Sequence, residues 1–279
     1  GVDLAMQPAN HEEFMDGLKA SVEDGTVAVS RIDDAVGRIL KMKFELGLFS
    51  NPFARSEYSA SVGSEPHREV ARQAVRESLV LLKSENDVLP LHPDEPVAVV
   101  GRHADNSGLQ SGGWSIHWQG QTESYRGATT ILDGIRAVAA EVEYAESGCT
   151  PDMRADKVVV VVGENPYAEG AGDTDELWLS DQHKALIAGC RQLDKQLVVI
   201  LISGRVLVIK EDLVISDAFI AAWLPGSEGA GVADFLYAID GFKPVGKSPY
   251  AWPQRLEDIP LDAEAEHALF PYGHGLTDY

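Results

Sequence analysis

Val158-Val-Val-Val-Val-Gly-Glu-Asn-Pro-Tyr-Ala-Glu-Gly-Ala-Gly-Asp173 is an unbroken run of β-branched residues that ends in a turn carrying three carboxylates. A short, continuous apolar run bounded by turn residues reads as a strand buried on both faces, as in a parallel sheet. In open α/β sheets, ligands and reactive groups gather in the loops at the carboxyl ends of such strands. Glu164, Glu169 and Asp173 therefore stand where a working carboxylate would be placed.

Strands and helices alternate around this segment. Val97–Val100, Val142–Ala145, Leu197–Ile202 and Ala218–Trp223 read as further strands. Thr130–Ala140, Asp181–Leu193 and Glu228–Ala238 read as helices between them. Alternation at this spacing predicts an α/β sandwich, a mainly parallel sheet with helices on both faces.

The N-terminal part is different. Phe14, Leu18 and Val22 recur at helical spacing, and Asp24-Gly25 stops that helix. Ile32, Val36, Ile39, Leu40 and Phe44 stripe a second helix, with Ser30 expected as its N-cap and Gly47 past its end. Both read as core helices. Residues 51–65 lack periodicity and read as a linker. A helix is expected from about Pro66 to Lys83, with proline in its first turn.

The formal net charge of −21 argues against nucleic acid and anionic membrane as partners, because both are polyanions. No stretch approaches the roughly 20 apolar residues of a membrane span. No signal peptide is evident, and the opening Gly1-Val-Asp-Leu-Ala-Met6 reads as a strand end within a longer protein. The two cysteines, Cys149 and Cys190, could form one bridge, but two buried free thiols are the expectation.

The candidate motifs narrow the chemistry. Gly226-Ser-Glu-Gly229-Ala-Gly231 has the wrong spacing for a dinucleotide or phosphate loop, and its Glu228 would repel a phosphate. No G-x-S-x-G elbow is present. His103, His117 and His183 lack metal-ligand spacing, so neither metal nor cofactor is expected. Gly112-Gly-Trp-Ser-Ile-His-Trp-Gln-Gly120 is more specific. Two Trp four residues apart between glycines do not form a helical core stripe. They offer either a stacking face for a sugar ring or packing against another domain. His117 between them could tune acceptor preference or simply be solvated.

Carboxylates beside Trp suggest glycoside hydrolysis, which needs one carboxylic acid to protonate the leaving oxygen and a second carboxylate opposite it. The acid must keep its proton near neutral pH, which calls for burial or a negative neighbour. The same acids could instead cap a helix or pair with Arg205.

Taken in order, several segments resemble glycoside hydrolase family 3. These are Gly1–Met6, Ser30-Arg-Ile-Asp-Asp-Ala-Val-Gly-Arg-Ile-Leu40, His67-Arg-Glu69 and Ser78-Leu-Val-Leu-Leu-Lys83. His103-Ala-Asp-Asn106, the Trp114/Trp118 run, Gly163–Glu169 and Ala222-Trp-Leu-Pro-Gly-Ser-Glu-Gly229 are similar to its β-glucosidase and β-glucan exohydrolase branch, as is Leu269-Phe-Pro-Tyr-Gly-His-Gly-Leu-Thr277. Val206 and Val245 depart from the family pattern, which commonly has Pro and Ser there.

The resemblance implies a barrel-type domain carrying an Asp nucleophile, followed by the sandwich domain carrying the acid/base. Residues 1–50 would be the end of the barrel domain, and 66–279 the sandwich. Glu169 would be the acid/base, Trp118 one wall of a clamp on the acceptor sugar, and Trp114 its support. The implied substrate is a β-linked oligosaccharide or glucoside. The nucleophile lies upstream of Gly1 in this pattern, so the chain alone is expected to be inactive. A secreted or periplasmic location is implied by the resemblance alone. From the residues by themselves, a non-catalytic carbohydrate-binding or regulatory module is the competing expectation.

Overall fold

The computed structural model describes Gly1–Tyr279, which divides into two compact units, Gly1–Val62 and Gly63–Tyr279. The first holds helices α1 (His11–Glu23) and α2 (Val29–Glu45), then a 3-10 turn over Ser56–Ser61. Gly47 takes the left-handed conformation just past α2, as its position predicts. The expected Ser30 cap is not used: α2 begins two residues earlier, with Ala28 at the cap position and no side-chain cap. The apolar stripes are present but do not make a core. Ala35 is the only buried residue of the two helices, whereas Phe14, Leu18, Val36 and Leu40 are each 37–44% exposed. Asp3 accepts hydrogen bonds from Arg31 (2.8 Å) and Arg38 (2.6 Å), and their guanidinium groups hold its carboxyl well below the usual range.

The second unit is built on one six-stranded sheet. Its strands are β1 (Val80–Ser84), β2 (Val97–Val100), β3 (Val142–Ala145), β4 (Lys157–Gly163), β5 (Gln196–Ile202) and β6 (Ala218–Trp223), in the spatial order β1-β6-β5-β4-β2-β3. All pairings are parallel except β1 on β6. The helices are α3 (Glu65–Ser78), α4 (Ser107–Ser111), α5 (Ile131–Val138), α6 (Asp181–Arg191), α7 (Lys210–Ile215) and α8 (Ala230–Leu236).

Every residue of β4 from Val158 to Gly163 is buried, and so is β5 from Leu197 to Ile202. The two faces carry separate cores. Val159, Val161, Val198 and Ile200 pack with Val75 of α3, Ile131 and Ile135 of α5, and Val232 of α8. Val158, Val160, Val199 and Leu201 face the other way, toward Ile187 of α6, Leu213 of α7 and Trp252. This is the expected sandwich.

Two further expectations, both in the second unit, are corrected. The helix predicted to Lys83 ends at Ser78, and Val80–Ser84 is an edge strand instead. Leu79-Val80-Leu81-Leu82 is an apolar run that suits either state by pattern; the open edge of β6 accepts it as an antiparallel partner, Val80 opposite Ala221. The cysteines are not free thiols: Cys149, after β3, is bonded to Cys190 on α6, with Cα atoms 5.0 Å apart. The fold brings together two residues 41 positions apart, a proximity that counting cysteines does not reveal.

Candidate active site

The chain runs from β2 outward to the edge strand β3 and then back across to β4, so the strand order reverses between β2 and β4. A crevice outside the carboxyl ends of two such strands is the usual ligand position in an open α/β sheet. Two loops enter it. One follows β2 through α4, whose N-cap Asn106 accepts from the Leu109 N–H at 2.9 Å, and continues as Gly112–Gly120. The other is the turn after β4, Glu164–Asp173.

The Gly112–Gly120 loop is tightly wound. Trp114 and Ile116 both have left-handed backbones, with φ of 60° and 65°, and the Trp114 N–H donates to the Trp118 carbonyl at 2.9 Å. The result is two exposed indoles, Trp114 at 69% and Trp118 at 55%, with ring centroids 6.3 Å apart. Neither ring is packed away.

The turn after β4 touches that loop directly. The Ala168 N–H donates to the side-chain carbonyl of Gln119 at 2.8 Å. Gly113 lies so close to the turn that a Cβ there would stand 2.1 Å from the Tyr167 carbonyl oxygen. Only glycine fits such an approach without moving one of the backbones. The Trp pair and Glu169 are thus carried on two loops fixed to one another.

The three carboxylates of the turn are sorted by their surroundings. Glu164 is largely buried and paired with Arg205, whose Nε–H donates to its Oε1 at 2.9 Å. The Tyr167 hydroxyl donates to its other oxygen at 3.1 Å. Burial, then the Glu164 charge, push the Tyr167 phenol up to about 12. Asp173 and Glu169 are both exposed. Glu169 opens a short 3-10 turn, Glu169–Gly172, and has a φ of 51°, a left-handed conformation that is uncommon for a side chain of its size. The burial a proton donor needs is not supplied within this chain.

Beneath the turn lies a cavity of about 500 Å³ lined by Arg102, His103, Glu164, Tyr167, Trp178 and His183. His103 is 3% exposed, and its Nε2–H donates to the Glu164 carbonyl at 3.2 Å. Burial, and then the neighbouring His183, lower its imidazole to about 4. The two imidazoles meet edge to face at 5.0 Å, but no group of three or more His, Cys, Asp or Glu side chains gathers anywhere that could hold a metal ion.

Sequence reading assigns no role to Gln119 or Tyr167. The available signal is position: Gln119 follows Trp118, and Tyr167 stands two residues before Glu169. His117 is exposed beside the Trp pair.

Comparison with known proteins bears on the family and the fold. Residues 79–278 match the model of the glycosyl hydrolase family 3 C-terminal domain. The chain is 33% identical to a lysosomal β-glucosidase of Dictyostelium discoideum, the alignment covering 99% of this chain and 38% of that protein. It is 27% identical to a periplasmic β-glucosidase of Salmonella typhimurium, over 99% of this chain and 44% of that one. The solved exo-1,3/1,4-β-glucanase of a Pseudoalteromonas species superposes with a TM-score of 0.91 at 38% identity, covering 99% of this chain and 37% of the other. The chain thus spans less than half the length of these relatives. With the family model matched along most of its length, and a six-stranded sandwich that superposes on a solved exo-glucanase, the chain belongs to glycosyl hydrolase family 3.

Proposed function

We propose that this chain is part of a retaining, exo-acting hydrolase of β-glucosides or β-glucan ends, with Glu169 as its general acid/base. The observation that carries the reading is the fixed union of two loops at the β2/β4 crevice, one bearing an exposed carboxylate, the other an exposed pair of indoles. Glu169 protonates the departing glycosidic oxygen while a nucleophilic carboxylate attacks the anomeric carbon from the opposite face. It then takes a proton from the water that releases the glycosyl-enzyme. Retention requires the two carboxyl groups to lie about 5–5.5 Å apart. Trp118 stacks on the acceptor sugar and Trp114 supports it, since an indole offers an apolar face to the C–H side of a pyranose.

The nucleophile belongs to a barrel-type domain outside residues 1–279, of which residues 1–50 are the end. Residues 51–65 are the linker to the sandwich domain, 66–279. The uncovered apolar stripes of α1 and α2 support this, because large exposed apolar faces call for a partner. That domain and the bound sugar supply the burial that Glu169 lacks here. The names of the relatives, β-glucosidases and an exo-1,3/1,4-β-glucanase, support the substrate class. A secreted or periplasmic location is supported by the Cys149–Cys190 bond, since disulfides persist in oxidising compartments.

The test is Glu169→Gln in the full-length protein. Loss of general acid catalysis predicts a fall of about 10²–10⁴-fold on unactivated glucosides. Aryl glucosides whose leaving group needs no proton recover part of that rate. Equal losses on both kinds of substrate would remove the acid role. Sugar affinity without any Glu169-dependent turnover would favour a carbohydrate-binding module instead. Residues 1–279 alone are expected to hydrolyse nothing.

A further inference from the structure

Glu169 has no side-chain anchor of its own, yet its turn is held at both ends by one residue. Arg205 stands on the loop after β5, with its carbonyl accepting from the Ser203 hydroxyl at 2.8 Å. Its Nε–H donates to Glu164, five residues before Glu169, and its Nη1–H donates to the Gly172 carbonyl, three residues after it, at 2.8 Å. Its guanidinium carbon lies 4.1 Å from the centroid of the Tyr167 ring, a close cation–π contact. Tyr167 completes the frame: its hydroxyl reaches Glu164, and its ring packs so tightly on Gly172 that a Cβ there would stand 2.3 Å from it.

These contacts join the first and last parts of the turn across a single planar group. A lysine could not make them, because it lacks the fork that addresses two acceptors in different directions while stacking on a ring. The ion pair is also mostly shielded, the Arg205 and Glu164 side chains being 24% and 18% exposed, so solvent screens it less than a surface pair. Glu164 is spent in this pairing, which leaves Glu169 as the unpaired glutamate of the turn. The left-handed backbone at Glu169 requires such a frame, since a strained residue persists only where its surroundings over-determine it.

We infer that Arg205 is a positioning residue for the reaction: with Tyr167 and Glu164 it clamps the turn so that the Glu169 carboxyl is presented to the glycosidic oxygen. This rests on the reading of Glu169 as acid/base. Arg205 touches no reacting atom, and it acts on the protonation step through the placement of Glu169.

The experiment compares Arg205→Met, Glu169→Gln and the double variant in the full-length protein, on an alkyl β-glucoside and on 2,4-dinitrophenyl β-glucoside. Misplacement of a catalytic group by about 1 Å can lower a rate by about 10²-fold. Arg205→Met is expected to lower kcat on the alkyl glucoside by about that factor, with KM little changed and a much smaller loss on the dinitrophenyl substrate. In the double variant the alkyl glucoside rate is no lower than with Glu169→Gln alone. Losses that multiply, or that are equal on the two substrates for Arg205→Met while Glu169→Gln still discriminates between them, overturn the positioning role and leave the acid role standing. If Glu169→Gln does not discriminate either, the acid role falls and this inference with it. Should Arg205→Met fail to fold, Tyr167→Phe, which removes only the hydroxyl bond to Glu164, is read in the same way, with a smaller loss of the same leaving-group signature expected.

Discussion

Gln119 and Ala168 are joined by a 2.8 Å hydrogen bond from backbone N–H to side-chain carbonyl, which fastens the loop of the two indoles to the residue before Glu169. Ala168 is 5% exposed, so its N–H has no ready substitute partner in solvent. Leaving a buried donor unpaired costs about 1–3 kcal/mol.

Gln119→Ala is therefore expected to destabilise the fold by an amount within that range and to lower kcat/KM as the two loops lose their common reference. Gln119→Glu keeps an acceptor and should retain most of the stability. Denaturant unfolding and steady-state kinetics of both variants check this; equal stability of the alanine and glutamate forms would show that the bond carries nothing.

The turn was partly legible from residues alone. The Val158–Val162 run could belong to little else than a buried strand, and the carboxylates following it are adjacent in sequence. The Trp pair was legible because glycines on both sides exclude a helix. What joins them was not legible, because Gln119 and Ala168 are 49 residues apart and Gly113 meets Tyr167 only once β2 and β4 are neighbours. β1 was misread for a related reason. Leu79–Leu82 is apolar at every position, so pattern cannot choose its state, and the choice falls to the open edge of β6.

His103 gives the fold a pH dependence of predictable sign. Its imidazole titrates at about 4 in the folded chain, against 6.5 for the free side chain. The unfolded chain therefore binds the extra proton first as pH falls. The stability held above about pH 6.5 declines through the interval down to about 4 and levels off below it. At about 1.36 kcal/mol per unit, the decline amounts to no more than about 3–4 kcal/mol. Melting temperatures of the parent and of His103→Gln should converge across that interval as pH falls, the parent losing more. Parallel curves would show that His103 takes up no proton differently on folding.

The Cys149–Cys190 bond closes a loop that runs from just past β3 through β4 and the turn after it into α6. For a loop of this length the chain-entropy model gives about 4 kcal/mol, an upper figure for a bond that strains nothing. Replacing both cysteines with serine is expected to lower the melting temperature by up to about 16 °C, at about 2–4 °C per kcal/mol in a domain of this size. Peptide mapping without reductant should recover the two cysteines in one linked fragment. Recovery of both as free thiols would contradict the pairing.

The left-handed backbone of Glu169 sets two demands on one residue against each other. Glycine would occupy that conformation at no steric cost, and asparagine at less cost than glutamate. Either would give a more relaxed turn with no acid on it. Under the acid/base role proposed for Glu169, the tolerance of the fold and the needs of that chemistry point to different amino acids at position 169. On that proposal, selection for thermal robustness alone would favour a well-folded turn that no longer carries the acid.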